Sequence, residues 1–380
     1  MIVVIADDIT GAAEMGGIAL RYGLRVLITD DVVHDAATDV LVMYTNTRSL
    51  PEQEAAKVMQ LLSSKINLST TNFFYKKTDS VLRGHVLAEI KTQMEVLGYS
   101  RALLVPVNPA LGRIINDGKY FINGTPINQT AFRNDPEFPA TSSAVTDMLR
   151  AAPAEVIVLS ASDDLPVNGI IVGEASSTAD VDTWAGYKEN KMLFAGGAAF
   201  FDALLQRIYG PHKSQGAEHS IAFPALLVSG TTYGSNLQKI SALGDIATFM
   251  PPEVFYSDTG LQNWTAEVLS TLKKYSCAVV AIGTHHLPAG NPSLLSRKLA
   301  QLVQHVLDSV QVKELLIEGG STAYNILHHL RLNSFVPVQE LQQGVVRMLV
   351  LGQKEMFITI KPGSYDWPTG WKFDKTMTAV

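Results

Sequence analysis

Cysteine is almost absent. Cys277 alone stands in 380 residues, which excludes an internal disulfide and deprives a structural zinc site of its usual ligands. It falls in the apolar run Ser276-Cys277-Ala278-Val279-Val280-Ala281-Ile282, where it reads as a small core residue on a buried strand. A reducing compartment is the corresponding expectation. Long hydrophobic runs are missing as well, and no stretch approaches the ~20 apolar residues of a membrane span. The opening Met1-Ile2-Val3-Val4-Ile5-Ala6-Asp7-Asp8 is too short an apolar run for a signal peptide and has no basic stretch before it. A soluble, cytoplasmic protein is expected. Basic surplus is lacking too: 30 Lys and Arg against 36 Asp and Glu leave a net charge of −6. A nucleic-acid or membrane-surface role is therefore not expected, because both usually need a basic face. An anionic ligand of so acidic a chain must instead be met by a local basic cluster.

What is present is material for burial, with 47% apolar residues in a chain longer than one ordinary core. Short apolar runs alternate with amphipathic segments, the pattern of βα units around a mostly parallel sheet. Strands are predicted at Ile2 to Ala6, Val26 to Thr29, Val40 to Tyr44, Phe73 to Lys76, Ala102 to Val105, Val156 to Leu159 and Ile170 to Val172. Helices are predicted at Gly11 to Tyr22 and at Pro51 to Ser63. A third follows, with Val86, Leu87, Ile90, Met94 and Leu97 on one face. The alternation breaks between Tyr209 and His219, where glycine, proline and polar residues cluster. Two domains are expected, 1–210 and 220–380. Beyond the break come strands at Ala225 to Val228, Ala278 to Ile282 and Glu314 to Ile317, then a hairpin from Val345 to Leu351 and Met356 to Ile360.

Four places carry candidate chemistry. In Ala6-Asp7-Asp8-Ile9-Thr10-Gly11-Ala12, two carboxylates stand where a buried strand gives way to a helix, the usual ligand crevice of an open α/β sheet. Helix capping accounts for one of them, but not for two adjacent acids. Lys76-Lys77-Thr78-Asp79-Ser80-Val81-Leu82-Arg83-Gly84 supplies the basic cluster that the net charge demands. A guanidinium there can grip a carboxylate through two parallel hydrogen bonds. Arg48, after another strand, is placed to join it, though alone it differs little from an exposed arginine. Glu318-Gly319-Gly320-Ser321-Thr322 lets a backbone approach phosphate oxygens at a helix start. It is neither a Walker A loop nor a dinucleotide fingerprint. Ser229-Gly230-Thr231-Thr232 and Lys361-Pro362-Gly363-Ser364 are small-residue turns at strand ends that would complete a phosphate or nucleotide pocket. The pairs His285-His286 and His328-His329 place adjacent rings apart, whereas a metal needs convergent ligands, and Asp163-Asp164 reads as solvated or capping. No protein-held metal site is expected.

In this order the motifs resemble the four-carbon acid sugar kinase family. Its A-D-D-L-T-G-A signature is matched by Ala6 to Ala12 with Ile9 for leucine, and its K-x-D-S-T-L-R-G stretch by Lys77 to Gly84 with Val81 for threonine. Thr47-Arg48-Ser49 and Pro106 to Pro109 match two further elements. The family's second half carries a G-S-x-S turn, a G-G-[DE]-T turn and a closing K-x-G segment. Here Thr231-Thr232-Tyr233 replaces the serine-rich turn and Ser321 stands where the acid is usual. The resemblance implies an N-terminal sugar-acid domain, a C-terminal nucleotide domain and an active site in the cleft between them. It implies an enzyme that phosphorylates threonate, erythronate or 3-oxo-tetronate from ATP with Mg²⁺. On this expectation Arg83 and Lys77 bind the substrate carboxylate, and Asp8 or Asp79 orients the hydroxyl and takes its proton. Asp7, Arg48, Ser80 and Asn108 complete the sugar site. Thr231, Gly319, Gly320, Ser321, Thr322 and Gly363 hold the nucleotide. A homo-oligomer is compatible with the sequence. Two rivals stand beside this reading: a dehydrogenase or aldolase-like enzyme, and a non-catalytic binder of sugar acids.

Overall fold

The structure, a computed structural model, describes residues 1–33, 37–135, 137–187, 192–212, 220–230, 234–257, 259–283, 292–352, 356–363 and 365–368. The chain divides into two compact units, Met1–Ser214 and Gln215–Val380.

The first unit opens with β1 (Ile2–Ala6), α1 (Ile9–Arg21), β2 (Val26–Thr29), β3 (Val40–Tyr44), α2 (Glu52–Ser64) and β4 (Phe73–Lys77). Then come α3 (Val86–Leu97), β5 (Arg101–Val105), β6 (Arg113–Asn116), β7 (Lys119–Ile122), β8 (Thr125–Pro126) and α4 (Val145–Met148). It closes with β9 (Val156–Leu159), β10 (Gly169–Gly173), α5 (Thr178–Trp184), β11 (Met192–Gly196) and α6 (Ala198–Tyr209). Eight strands form a parallel sheet in the order β2-β3-β1-β4-β11-β5-β10-β9. Helices α1, α5 and α6 pack together as one layer and α2 with α3 as another. The strands read as continuous apolar runs because both faces are covered; β1 and β3 are buried at every residue. From β1 the chain crosses to β2 through α1, whereas from β3 it crosses back over β1 to β4 through α2. Right-handed crossovers in opposite directions put these helices on opposite faces. The ends of β1, β3 and β4 therefore flank a switch point, where a crevice opens in sheets of this kind.

The second unit contains β12 (Ala225–Ser229), α7 (Gly234–Ser241), β13 (Ala247–Phe249), α8 (Pro252–Tyr256), α9 (Leu261–Tyr275) and β14 (Cys277–Ala281). It continues with α10 (Pro292–Ser309), β15 (Glu314–Glu318), α11 (Gly320–His329), β16 (Ser334–Gln342), β17 (Val345–Val350) and β18 (Phe357–Lys361). Five strands, β13-β14-β12-β15-β18, run parallel, and β17 and β16 continue the sheet antiparallel. Cys277 is buried on β14, as its apolar surroundings require. The expected C-terminal hairpin is the β17–β18 pair, and its turn residues 353–355 lie outside the described residues.

Differences from the sequence reading have local causes. Helix α1 begins at Ile9 because Asp8 caps it, and α2 begins after Pro51, which stands before the first turn. Strand β4 runs on through Lys77, so both lysines are buried strand residues instead of loop charges. On α3 the buried place beside Ile90 goes to Gln93, and Met94 is half-buried. Strand β13 is too short and β16 too polar for the apolar pattern, whereas β11 is an apolar, fully buried run that the sequence reading passed over. The antiparallel sheet β6-β7-β8 mixes charged, aromatic and glycine residues and lacks a clean alternation.

Candidate active site

Strand register builds the site. Ala6 pairs with Tyr44 on one side and with Lys77 on the other, so the segments after β1, β3 and β4 leave the sheet in one row. Asp7 and Asp8, Arg48, and the turn from Thr78 to Arg83 are thereby brought together, although they lie far apart in sequence.

Arg48 is the hub. Its Nε donates to Asp7 Oδ2 at 2.8 Å, Nη1 lies 3.1 Å from Asp8 Oδ2, and Nη2 lies 3.7 Å from Asp79 Oδ1. In sequence Arg48 taken alone differs little from an exposed arginine; in the fold its side chain keeps 17% exposure and meets three carboxylates. Burial near those acids first disfavours its charge, but Asp7, Asp8 and Asp79 outweigh that and hold the guanidinium firmly protonated.

The three acids differ. Asp79 is gripped in parallel by Arg83, with Nη2 to Oδ1 at 2.8 Å and Nε to Oδ2 at 3.0 Å. The amides of Val81 and Arg83 also donate to Oδ2, each at 3.2 Å. Burial pushes its pKa up, but Arg83 and Arg48 outweigh burial and hold it far below the usual carboxylate range. Asp8 caps α1, accepting from Gly11 N at 2.6 Å and from Thr10 Oγ1 at 2.8 Å. There too burial is outweighed, by Arg48 and Lys77, and the pKa is lowered. Its side chain keeps 15% exposure, against 5% for Asp7 and 9% for Asp79. Asp7 behaves oppositely. Its Oδ1 is buried with no hydrogen-bond partner. Burial wins over the opposing pull of Arg48, so its pKa is raised.

Around this centre the charges are arranged in pairs. Lys77 Nζ donates to Thr78 O at 3.0 Å and lies 3.5 Å from Glu14 Oε2. Gly11 is required where α1 passes it, since a Cβ there would lie 2.8 Å from Asp8 Oδ1 and 3.3 Å from Lys77 Nζ. Lys76 is fully buried against Glu89 at 2.7 Å, and Glu89 in turn accepts from Thr47 Oγ1 at 2.5 Å. This second layer stiffens the β3 and β4 ends from behind. Arg83 also reaches Asp135 at 3.1 Å and lies over the Phe132 ring. The guanidinium expected to bind the substrate carboxylate is thus paired with two carboxylates of the protein itself. Ser80 accepts from Arg113 Nη1 at 2.5 Å, and its carbonyl accepts from the Tyr120 hydroxyl at 2.7 Å. Asn108 is buried and pairs through its backbone with Arg113. Arg113, Tyr120, Phe132 and Asp135 escaped the sequence reading because they come from the irregular segment around β6-β7-β8. The only signal there was Pro106 to Pro109, which marks the chain leaving β5.

In the second unit, register aligns Ser229 with Glu318 and Glu318 with Lys361. The turns that the sequence singled out thus form a second row at the ends of β12, β15 and β18. Gly230 approaches the start of α11 so closely that a Cβ would lie 1.8 Å from Thr322 Oγ1. Gly319, at φ 100, occupies the N-cap of α11 without any side-chain cap. Glu318, which the sequence reading treated only as the residue before the glycines, is buried and central. It lies 3.0 Å from Lys361 and accepts from Ser229 and Asn236. Lys361 also donates to the carbonyls of Pro362 and Tyr365. Ser321 is exposed, its carbonyl accepting from Asn325, and Gly363 is exposed beyond Lys361. Thr231, with Thr232, Tyr233, Ser364 and the pair His285-His286, lies outside the described residues. Among the described residues no three His, Cys, Asp or Glu side chains are gathered as metal ligands, and no helix is long and apolar enough to cross a membrane.

Residues 2–204 match the family described as sugar-binding N-terminal domain. The D-threonate kinase of Salmonella typhimurium is 34% identical over 150 residues, which cover 39% of this chain and 36% of that relative. The D-threonate kinase of Bordetella bronchiseptica is 24% identical over 368 residues, covering 90% of this chain and 88% of the relative. Relatives named D-erythronate kinase and 3-oxo-tetronate kinase match as well. Among solved structures, a Haemophilus influenzae protein superimposes with a TM-score of 0.72 at 17% identity, over 100% of both chains. That likeness shows a shared fold.

Proposed function

The chain belongs to the sugar-binding N-terminal domain family, with four-carbon acid sugar kinases among its curated relatives, and from that premise we propose that it transfers the γ-phosphoryl of ATP to the terminal hydroxyl of a four-carbon sugar acid. The observation that carries this reading is the gathering of Asp7, Asp8 and Asp79 on the single guanidinium of Arg48 at the ends of β1, β3 and β4. It sits within the segment that matches the sugar-binding family.

Phosphoryl transfer needs positioning and charge stabilisation more than covalent help. Asp8 orients the hydroxyl and receives its proton, because it is the most exposed of the three acids and is not clamped by Arg83. Asp79 is the anchor that shapes the turn, its two oxygens committed to Arg83. Asp7 fixes Arg48 through Nε, so that the two Nη groups face Asp8 and Asp79. Lys77 adds positive charge beside Asp8.

The row at β12, β15 and β18 suits nucleotide phosphates. Gly230 and Gly319 leave room where side chains would intrude, and α11 offers uncapped amides to negative charge. Gly320 and Thr322 in its first turn, with Ser321 and Gly363 at the rim, would line that site. Mg²⁺ bound with ATP would neutralise phosphate charge, held by the phosphates and by one or two carboxylates at most. The reading includes the interdomain cleft expected from sequence, since the γ-phosphoryl has to be brought to the hydroxyl with water excluded.

The experiment is direct. The protein is incubated with Mg-ATP and D-threonate, D-erythronate or 3-oxo-tetronate, and ADP release is followed. Acid-dependent release supports the reading; no acid-dependent release with any of them overturns it. A binder without catalysis is the second reading, favoured by exposed Ser321 at the turn where the family resemblance implies an acid. Calorimetric binding of an acid without turnover selects it.

A further inference from the structure

The cations around the carboxylate cluster are not equivalent once their partners are counted. Arg48 faces three acids, Arg83 faces Asp79 and Asp135, Lys76 faces Glu89 and Lys77 faces Glu14. Arg113 is the exception. Its one side-chain partner among the described residues is the neutral hydroxyl of Ser80, 2.5 Å from Nη1, and no described carboxylate lies within ion-pair distance of it.

Arg113 is nevertheless held in place with care. It is half-buried and opens β6, where its amide donates to Asn108 O at 3.0 Å and its carbonyl accepts from Asn108 N at 2.9 Å. The residue before it, Gly112, turns the chain at φ 64, and a Cβ there would lie 1.9 Å from Asn123 Oδ1. The buried Tyr120 on the neighbouring β7 fastens its hydroxyl to Ser80 O at 2.7 Å. The β6-β7 pair is thus tied at two points to the turn that carries Asp79, and the guanidinium is held at Ser80, the residue after Asp79. A partly buried arginine with Nε and Nη2 free of carboxylate partners matches the planar, two-oxygen geometry of a carboxylate ligand.

We propose that Arg113, rather than the already paired Arg83, grips the carboxylate of the sugar acid, with Ser80 fixing the angle of its guanidinium. The inference rests on the sugar-acid reading above and deepens it by naming the residue that demands an acid instead of a neutral sugar. A grip of this kind predicts selectivity of a definite sort: the acid is favoured over its amide, which has the same shape and hydroxyls but no charge.

The test compares wild type, Arg113→Gln and Arg113→Lys by isothermal titration with D-threonate, D-erythronate and the corresponding amides, in the full-length protein. Arg113→Gln is expected to weaken acid binding about a hundredfold, the usual loss when one side of a desolvated charge pair is removed. Amide binding should stay within about threefold, so the acid preference collapses, and Arg113→Lys should restore part of it. A merely structural role through Ser80 would weaken acid and amide alike. Undiminished acid preference in Arg113→Gln, with unchanged melting temperature, overturns the inference and leaves the kinase reading standing. Wild type that binds these acids without releasing ADP sinks the kinase reading instead, while the Arg113 comparison still decides the grip. Wild type that binds none of them sinks both.

Discussion

Three acids within reach of one arginine have been given three different proton affinities by their surroundings. Asp79 and Asp8 are stabilised as anions by paired guanidinium, ammonium and amide donors, whereas Asp7 is desolvated with one oxygen unpartnered. The signs follow. Stability contributed by Asp8 and Asp79 is present above the ordinary carboxylate pKa and is lost as pH falls through their lowered values. Asp7 is the reverse: its ionised form is disfavoured by the fold, so it is the first of the three to take up a proton as pH drops. Protonated Asp7 no longer holds Arg48 by charge, so the acid limb of the rate profile should report Asp7. Asp7→Asn should move that limb to lower pH while lowering kcat by about ten- to a hundredfold; an unmoved limb would assign it elsewhere. Asp8→Asn should reduce kcat by roughly two to four orders of magnitude, as expected for loss of a proton acceptor, with the KM for the acid little changed. Steady-state kinetics across pH 4 to about 9, the span in which carboxyl and histidine groups titrate, checks both.

At the scale of elements, the site depends on where strands stop and how the next segment turns away. The β4 exit is the most constrained, with Leu82 at φ 62 and Gly84 at φ 90 within three residues. Gly84 also lies against the hub: a Cβ there would sit 3.3 Å from Arg48 Cγ. Gly84→Ala should cost about 1–2 kcal/mol for its left-handed backbone and, by moving Arg48, lower kcat/KM as well. Gly98, the C-cap of α3 at φ 68, has nothing within 4 Å of a built Cβ. Gly98→Ala should therefore carry a similar stability cost and leave kinetics alone. Urea unfolding midpoints beside kcat/KM for the two variants separate backbone strain from disturbance of the site. Equal kinetic losses would refute the placement of Gly84 behind Arg48.

For the whole molecule, the proposal divides labour between two units, each with its own row of strand ends. Ligand losses should divide in the same way. Arg48→Gln should abolish measurable binding of the sugar acid while ATP affinity stays within about threefold, the range of neutral surface changes. Gly230→Ala, whose Cβ collides with Thr322 Oγ1, should weaken ATP at least about tenfold through lost backbone approach and spare the acid. Titration of each variant with each ligand checks this, and a crossed pattern would reject the division.

The sequence by itself determined the class of fold and the identity of both motif rows. Runs such as Ile2 to Ala6 and Val40 to Tyr44 are apolar throughout because both faces are covered, and acids, lysines and glycines stand out where such runs end. What only the tertiary structure decided is partnership. Strand register set Arg48 among three acids that are remote in the chain, and it committed Arg83 to Asp79 and Asp135. It also brought the irregular β6-β7 segment, with no periodic signal of its own, to the turn at Ser80. Hydrophobic periodicity reports which faces are buried, because burial scales with local apolar area. Ion pairing depends on distances of a few ångström between segments far apart in the chain, and those distances come into being only when the sheet closes its order.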